Sequence, residues 1–199
     1  MFESVKKKLE DNNFKVTVVE DVKEVLPLVS EIITSGSTVA YGGSETIKEL
    51  GLLDYLRGRD DIKFIDRDNR EDRYEAMIES FASDYYLMST NALVAEGFLY
   101  NVDGNGNRVA ALTFGPKNVL VFAGKNKIVR DLGSAFRRVE EIAGPKNCKR
   151  LDKKTPCIKR GYCLNCKSPD RICSSYVTTR RSQTPGRIHI IIINEDLGY

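Results

Sequence analysis

The sequence predicts an α/β fold in which a mostly parallel sheet carries helices on both faces, and two observations predict it. Short apolar runs bounded by turn residues, such as residues 85–88 and 119–123, are typical of buried strands. Stretches with helical spacing of apolar residues lie between such runs, and alternation of strand and helix indicates a parallel sheet. With 199 residues and 41% hydrophobic content, the chain can bury one substantial core.

The elements are assigned in order from hydrophobic spacing and turn residues. Pro27 places a kink or boundary in the second helix, and Glu96-Gly97 marks a small hairpin. Two alanines and an Asn107 cap favour helix over strand after the glycine-rich bend, and Gly144-Pro145 is expected to close the last helix. Strands are predicted at residues 14–19, 38–41, 62–65, 85–88, 92–94, 98–100, 119–123 and 187–194. Helices are predicted at residues 2–13, 22–33, 47–56, 70–81, 108–112 and 129–142.

We assign residues 1–199 to one domain. Its first part, residues 1–35, is an N-terminal helical region, and residues 147–184 form a Cys-rich insertion that interrupts the strand–helix rhythm. The only histidine, His189, lies in the Ile-rich last strand and is interpreted as a packed residue rather than a ligand.

Two glycine-containing corners follow predicted strands and start predicted helices. The backbone N–H groups of such corners can bind an anion, and parallel sheets bind ligands at the carboxyl ends of their strands. Gly42-Gly43 would equally serve as a tight connection. We predict that the two corners converge on one small anion, a carboxylate or a phosphate. The candidate ligand-binding residues are Gly42, Gly43, Ser44, Asn91, Gly104, Asn105, Gly106, Asn107, Arg108 and Lys125.

No catalytic residue is identified from the sequence. A Ser/His/Asp set is not recognisable, and a single histidine in a strand leaves little room for ordinary acid–base chemistry. Glu45, Glu96 and Asp103 are the carboxylates near the predicted cleft, but each is more typical of a cap or a turn.

The Cys-rich insertion predicts a metal centre. Its cysteines follow the spacing Cys-x5-Cys-x2-Cys-x6-Cys, and a second Cys-x2-Cys pair, which would indicate a zinc ribbon, is missing. A [4Fe–4S] cluster tolerates this irregular spacing and is preferred, with zinc as the alternative and unliganded thiols as the other interpretation. Cys148 lies upstream and is left out. The predicted ligands are Cys157, Cys163, Cys166 and Cys173.

Positive charge is concentrated around these cysteines. Residues 144–181 contain eleven basic and two acidic residues, a net of +9, which leaves −6 for the remainder of a chain whose total is +3. A basic segment on an acidic body indicates an anionic ligand, cluster or partner, although a solvated basic loop has the same composition.

The motifs NALVAEG at 91–97, NVDGNGNRVA at 101–110 and GPK at 115–117 resemble the LUD-domain (lactate-utilisation) family. The resemblance extends from about Gly42 to the end of the sequence. It implies a sugar-isomerase and CoA-transferase-like α/β fold and a part in oxidising L-lactate to pyruvate beside iron–sulfur oxidoreductase subunits. In isomerases of this fold an acidic residue commonly stands where Asn91 stands here, so the neutral Asn91 argues against isomerase chemistry.

The leading hypothesis is therefore a LUD-domain component of a lactate-oxidising system that binds a small anion and an iron–sulfur cluster. The alternatives are a zinc-containing nucleic-acid-binding or regulatory module, which has few aromatics for stacking, and a transferase or isomerase of the same fold. A charged amphipathic start and short apolar runs predict a cytoplasmic protein without membrane spans. Whether it forms a homo-oligomer is left open.

Overall fold

A six-stranded sheet forms the centre of the molecule in the computed structural model, which describes residues 2–199. Its strand order is β1-β10-β7-β4-β2-β3, and every neighbouring pair is parallel. The predicted α/β class is thereby confirmed. The six strands are β1 (Lys15–Val19), β2 (Thr38–Tyr41), β3 (Lys63–Ile65), β4 (Tyr85–Ser89), β7 (Asn118–Gly124) and β10 (Ile188–Ile193).

A smaller sheet with the order β8-β5-β6-β9 lies beside the first. The predicted hairpin is present, because β5 and β6 pair antiparallel around Gly97, whose φ is +96°. The other two strands were not predicted, and β9 lies inside the Cys-rich insertion, where it pairs with β6. The four strands are β5 (Ala92–Val94), β6 (Phe98–Asp103), β8 (Ile128–Val129) and β9 (Ser175–Thr179).

Helices cover both faces of the large sheet, as predicted. The first, fifth and sixth helices pack on one face and the second to fourth on the other, so two hydrophobic clusters form. Alternate side chains of each strand enter opposite clusters; Val121 points to one and Phe122 to the other. The helices are α1 (Phe2–Glu10), α2 (Val25–Ile32), α3 (Glu45–Glu49), α4 (Leu52–Arg57), α5 (Arg73–Glu79), α6 (Asn107–Thr113), α7 (Leu132–Arg138), α8 (Gly144–Arg150) and α9 (Pro156–Arg160).

The prediction of one helix over residues 129–142 was wrong at both ends. Its first residue, Val129, belongs to β8, and α7 begins only after Asp131, whose carboxylate accepts the N–H of Ser134. At the other end Gly144-Pro145 does not stop the helix, which continues through a π-helical turn at Val139–Ala143 into α8. Pro145 lacks an N–H, and the carbonyl oxygen of Glu140, five residues before it, accepts the N–H of Cys163 at 2.8 Å instead, so the π-helical turn accommodates the proline.

The first 35 residues are not purely helical, because they include β1 at the edge of the large sheet. None of the helices within residues 2–199 combines the length and the apolar character needed to span a bilayer.

Candidate functional site

A cavity of about 630 Å³ opens at the carboxyl ends of β2 and β4. The chain leaves β2 towards β3 on one side and later returns to β4 on the other, so this is a point where the strand order reverses. Parallel sheets commonly bind ligands at such points. Both predicted corners line this cavity, Ser44 from the first and Asn105 from the second.

Most of the predicted ligand-binding residues line the cavity, and three do not. Lys125 is exposed and lies outside it. Gly42 lies behind the wall, where an added Cβ would be 2.9 Å from the Tyr86 hydroxyl. Gly106, with φ +84°, is the residue that starts α6, so Asn107 is the first helical residue and not the predicted cap. Those that line the cavity are Gly43, Ser44, Asn91, Gly104, Asn105, Asn107 and Arg108.

The first turn of α6 is already occupied by a carboxylate of the protein. Oδ2 of Asp103 accepts the backbone N–H of Arg108 at 3.1 Å and that of Val109 at 3.2 Å. An acidic group at a helix start satisfies donors that an anionic ligand would otherwise use. The second corner therefore shapes the cavity but does not offer these two N–H groups to a ligand.

The guanidinium of Arg108 is also committed to the protein. It makes four hydrogen bonds of 2.6 to 2.9 Å, and burial lowers its pKa although Asp103 lies nearby. Arg108 thus fixes the wall of the cavity instead of reaching into it. The four acceptors are the carbonyl oxygens of Ser89 and Val102 and the side-chain oxygens of Asn91 and Asn101.

Arg67 is a cavity residue that the sequence analysis missed. Its Nε is buried and has no hydrogen-bond partner among the described residues, and Asp68 lies 3.8 Å from it. The guanidinium lies 5.5 Å from the centroid of the Tyr41 ring, which fixes its plane. An added Cβ on Gly43 would lie 2.5 Å from its Nη2 atom, so the glycine makes room for it. Arg67 lies two residues after the end of β3, and that position was the available signal.

Lys127 lines the cavity where Lys125 was predicted to do so. Its side chain is buried, and Nζ donates to Oγ1 of Thr46 at 2.8 Å and to Oγ of Ser89 at 2.9 Å. Burial, followed by the charges of Arg138 and Arg108, lowers the pKa of Lys127 to about 7. The surroundings of Lys127 therefore favour the neutral amine over the ammonium form, compared with an exposed lysine.

The lining of the cavity carries more positive than negative groups. Six basic side chains and three acidic ones line it, so positive charge predominates even with the Lys127 amine neutral, which favours an anionic ligand. The basic residues are Arg67, Arg73, Arg108, Lys127, Lys153 and Arg171, and the acidic ones are Glu45, Asp103 and Asp170.

The family model of the LUD domain matches residues 2–193. The chain belongs to the LUD-domain family. This relates it to lactate utilisation, as the motifs predicted. A crystal structure of a DUF162 family protein from Deinococcus radiodurans shares the fold, with a TM-score of 0.57 and 12% sequence identity over 97% of this chain and 96% of that one. No curated protein matches the sequence.

The Cys-rich insertion of this LUD domain forms one side of the cavity. Asp170, Arg171 and Ile172 line it opposite the sheet edge. The backbone of Ile172 approaches so closely that an added Cβ on Gly104 would lie 3.3 Å from its Cα. The predicted metal-binding segment and the predicted anion-binding corner are therefore in direct contact.

Four thiols of the insertion, those of Cys148, Cys157, Cys163 and Cys173, are near enough to affect one another's ionisation. Burial, together with the neighbouring thiols of Cys157 and Cys173, raises the pKa of Cys148 to about 11. Burial also raises the pKa of Cys163, again with Cys173 and Cys157 as neighbours. The N–H of Asn165 donates to Sγ of Cys163 at 3.3 Å. Cys148, which the sequence analysis left out, thus lies beside the predicted set.

Arg171 holds two predicted ligands together, since it donates to the carbonyl oxygens of Cys166 and Cys173, each at 2.8 Å. Thiolates are the ligands that an iron–sulfur cluster uses, and a positive charge beside them offsets the charge of the cluster. The donor chemistry of the segment fits such a group. Across residues 2–199, however, no three Cys, His, Asp or Glu side chains form a ready metal-binding group. The four-cysteine ligand set stays a prediction.

Proposed function

We propose that this LUD domain belongs to a cytoplasmic system that oxidises L-lactate to pyruvate, binds a 2-hydroxy or 2-oxo carboxylate in its cavity, and holds an iron–sulfur cluster in the adjacent Cys-rich insertion. One observation carries the proposal. Asp170, Arg171 and Ile172 line the cavity within the segment that contains the cysteines, so a ligand and a cluster would share one wall.

Charge, rather than volume, supports a carboxylate. A cavity of about 630 Å³ exceeds what a three-carbon acid needs and lies in the range of general ligand pockets. The buried Arg67 Nε has no hydrogen-bond partner among the described residues, so its N–H is free to donate a hydrogen bond to a carboxylate oxygen of a ligand. Charge-assisted hydrogen bonds from arginine to carboxylate are among the stronger polar contacts in proteins.

The cluster is supported by the thiols and by their basic surroundings. Cys157, Cys163, Cys166 and Cys173 would hold it, and Arg171 connects the backbone of the last two. When bound, such a cluster supplies one-electron transfer. The residues of this chain would position the carboxylate beside it, and the iron–sulfur oxidoreductase subunits of the system would exchange the electrons.

Metal content tests the cluster. Protein purified without oxygen is expected to be brown, to absorb at about 400 nm and to contain roughly four irons per chain. Cys163→Ser and Cys166→Ser should each lower the iron content, whereas Cys148→Ser, which changes a nearby buried cysteine outside the set, should retain it. A colourless protein with one zinc per chain, or an iron content unchanged in the first two variants, would contradict the assignment.

Calorimetric titration tests the ligand. We expect binding of pyruvate or L-lactate, and at least about tenfold weaker binding in Arg67→Gln, because a charge-assisted hydrogen bond contributes more than about 1.4 kcal/mol. Arg130→Gln is the matched control, since the Arg130 side chain is 86% exposed and lies outside the cavity. Equal affinities in wild type and Arg67→Gln, or no heat with either acid, would exclude this carboxylate site.

A further inference from the structure

We infer that the Lys127 amine is the reactive group of the cavity and condenses with the carbonyl carbon of a 2-oxo carboxylate to form an imine. The inference deepens the proposed function and rests on it, because it requires that a 2-oxo acid occupies the same cavity. Lys127 reaches the cavity from the turn after β7, between the ends of β2 and β4.

Hydrogen bonding at Nζ matches a neutral amine. An ammonium group has three N–H donors, whereas an amine has two and a lone pair. Among the described residues Nζ has two acceptors, the hydroxyls of Thr46 and Ser89. The hydroxyl protons of these two residues have other acceptors. The Thr46 hydroxyl donates to the carbonyl oxygen of Leu197 at 3.4 Å, and the Ser89 hydroxyl donates to that of Thr90 at 3.4 Å. Two donors meet two acceptors, and the lone pair is left for a ligand.

The electrostatic surroundings of Nζ also favour the neutral amine. Burial, then Arg138 of α7 and Arg108 of α6, disfavour the ammonium form, and Glu49 of α3 opposes them weakly. The Glu49 carboxylate is engaged elsewhere, because its Oε2 accepts the N–H of Gly198 at 2.6 Å. A desolvated lysine beside other cations is a known way of making an amine nucleophilic at neutral pH.

The segment after β10 packs over the amine and limits its contact with water. An added Cβ on Gly198, whose φ is +59°, would lie 2.5 Å from Oγ1 of Thr46 and 3.4 Å from Nζ. Asn126 anchors this segment, since it donates to Gly198 O at 3.3 Å and accepts the N–H of Leu197 at 3.2 Å. Only a small residue with this backbone conformation fits at position 198.

The reaction is a condensation and needs no oxidant. The Nζ lone pair attacks C2 of the oxo acid, the carbonyl π bond breaks, and a proton moves from nitrogen to oxygen to give a carbinolamine. Loss of water, which removes that oxygen and the remaining amine proton, leaves a C=N bond between C2 and Nζ. The positive groups of the cavity would hold the carboxylate of the oxo acid while this occurs.

Reductive trapping tests the inference. The full chain is incubated with pyruvate and sodium cyanoborohydride, and the intact mass and peptide map are recorded. We expect one reduced pyruvyl group per chain, located on Lys127, and none with L-lactate, which has no carbonyl. Trapping should become faster as the pH rises through about 7, where Lys127 loses its proton.

Lys127→Met should abolish the adduct, whereas Lys125→Met, which changes the exposed lysine two residues away, should retain it. Because Lys127→Met removes two buried hydrogen bonds, its folding is checked by denaturation. If this variant does not fold, the position of the adduct in the wild-type peptide map decides whether Lys127 is the reactive residue. Pyruvate binding by calorimetry without an adduct at Lys127 would overturn the imine and leave the proposed function standing. Absence of both binding and adduct would overturn both.

Discussion

Nη2 of Arg108 donates a hydrogen bond of 2.9 Å to Oδ1 of Asn91, so two residues predicted to contact the ligand contact each other. The same Asn91 oxygen accepts the backbone N–H of Val102 at 2.9 Å. Together these bonds join the end of β4 to β6, the two strands that flank the cavity. Arg108 and Asn91 are therefore framework residues of the cavity, and the proposed function assigns ligand contact to Arg67 and Lys127.

Replacing Arg108 with methionine should destabilise the fold. Arg108→Met leaves four buried oxygen acceptors without their donor, and removal of one partner from a buried polar network costs on the order of 3 kcal/mol. Urea denaturation measures the loss. Arg130→Met, at an exposed ion pair with Asp131, should change the free energy of unfolding by less than about 0.5 kcal/mol. An unchanged midpoint with lost carboxylate binding would make Arg108 a ligand contact instead.

The fold was predictable because its determinants are local. The runs that form β4, β7 and β10 are apolar and short, and the bend at Gly97 has the residue that its positive φ requires. By contrast, β8 and β9 are formed only by pairing with β5 and β6, and their own sequences have no decisive pattern. Strand pairing over long sequence separation decided these two elements, and spacing along the chain does not encode it.

The site was only partly predictable for a related reason. Both glycine corners could be found, because a strand followed by a glycine turn and a helix start is a local pattern. Which lysine enters the cavity depends on the short 3-10 turn at Lys125–Lys127, which directs one side chain out and the other in. That Asp103 would occupy the start of α6 is a local contact and agrees with the cap or turn role expected of it, whereas the approach of Ile172 to Gly104 depends on a tertiary contact.

Replacing Gly97 with alanine should destabilise the protein more than the same replacement at Gly36, which also has a positive φ. At Gly97, with φ +96°, an added Cβ would lie 2.6 Å from the backbone oxygen of Lys8, which cannot move without shifting α1. Gly36, with φ +80°, has nothing within 4 Å. Gly36→Ala should therefore cost only the backbone strain, roughly 1 to 2 kcal/mol, and Gly97→Ala distinctly more. Equal losses by urea denaturation would mean that Lys8 does not confine position 97.

Arg187 is expected to stabilise the carboxyl end of α6. Its guanidinium donates to the carbonyl oxygens of Ala111, Leu112 and Pro116 at 2.7 to 3.0 Å, which are otherwise unsatisfied groups at and just after a helix end. Arg187→Met should lower the free energy of unfolding by about 2 kcal/mol, and Arg187→Lys should recover part of the loss. Arg160→Met, at an exposed position in α9, is the control. If Arg187→Met leaves the free energy of unfolding unchanged, the three contacts contribute no stability.

His189 should make the protein sensitive to acid. Its ring shares a 2.8 Å hydrogen bond with Thr17 Oγ1, and burial, followed by the charge of Lys15, lowers its pKa from the ordinary 6.5 to about 4. Because the folded pKa is depressed, this contribution to stability is complete above pH 6.5 and is lost as the pH falls from 6.5 towards 4, where the unfolded chain binds the proton and the folded chain does not. The loss amounts to about 3 kcal/mol.

His189→Gln, which cannot take up this proton, should show a correspondingly smaller fall in stability between pH 7 and pH 4 by urea denaturation. Thr17→Val, in contrast, should lower the free energy of unfolding yet keep the steep acid dependence. Parallel curves for wild type and His189→Gln would show that other groups control the acid response.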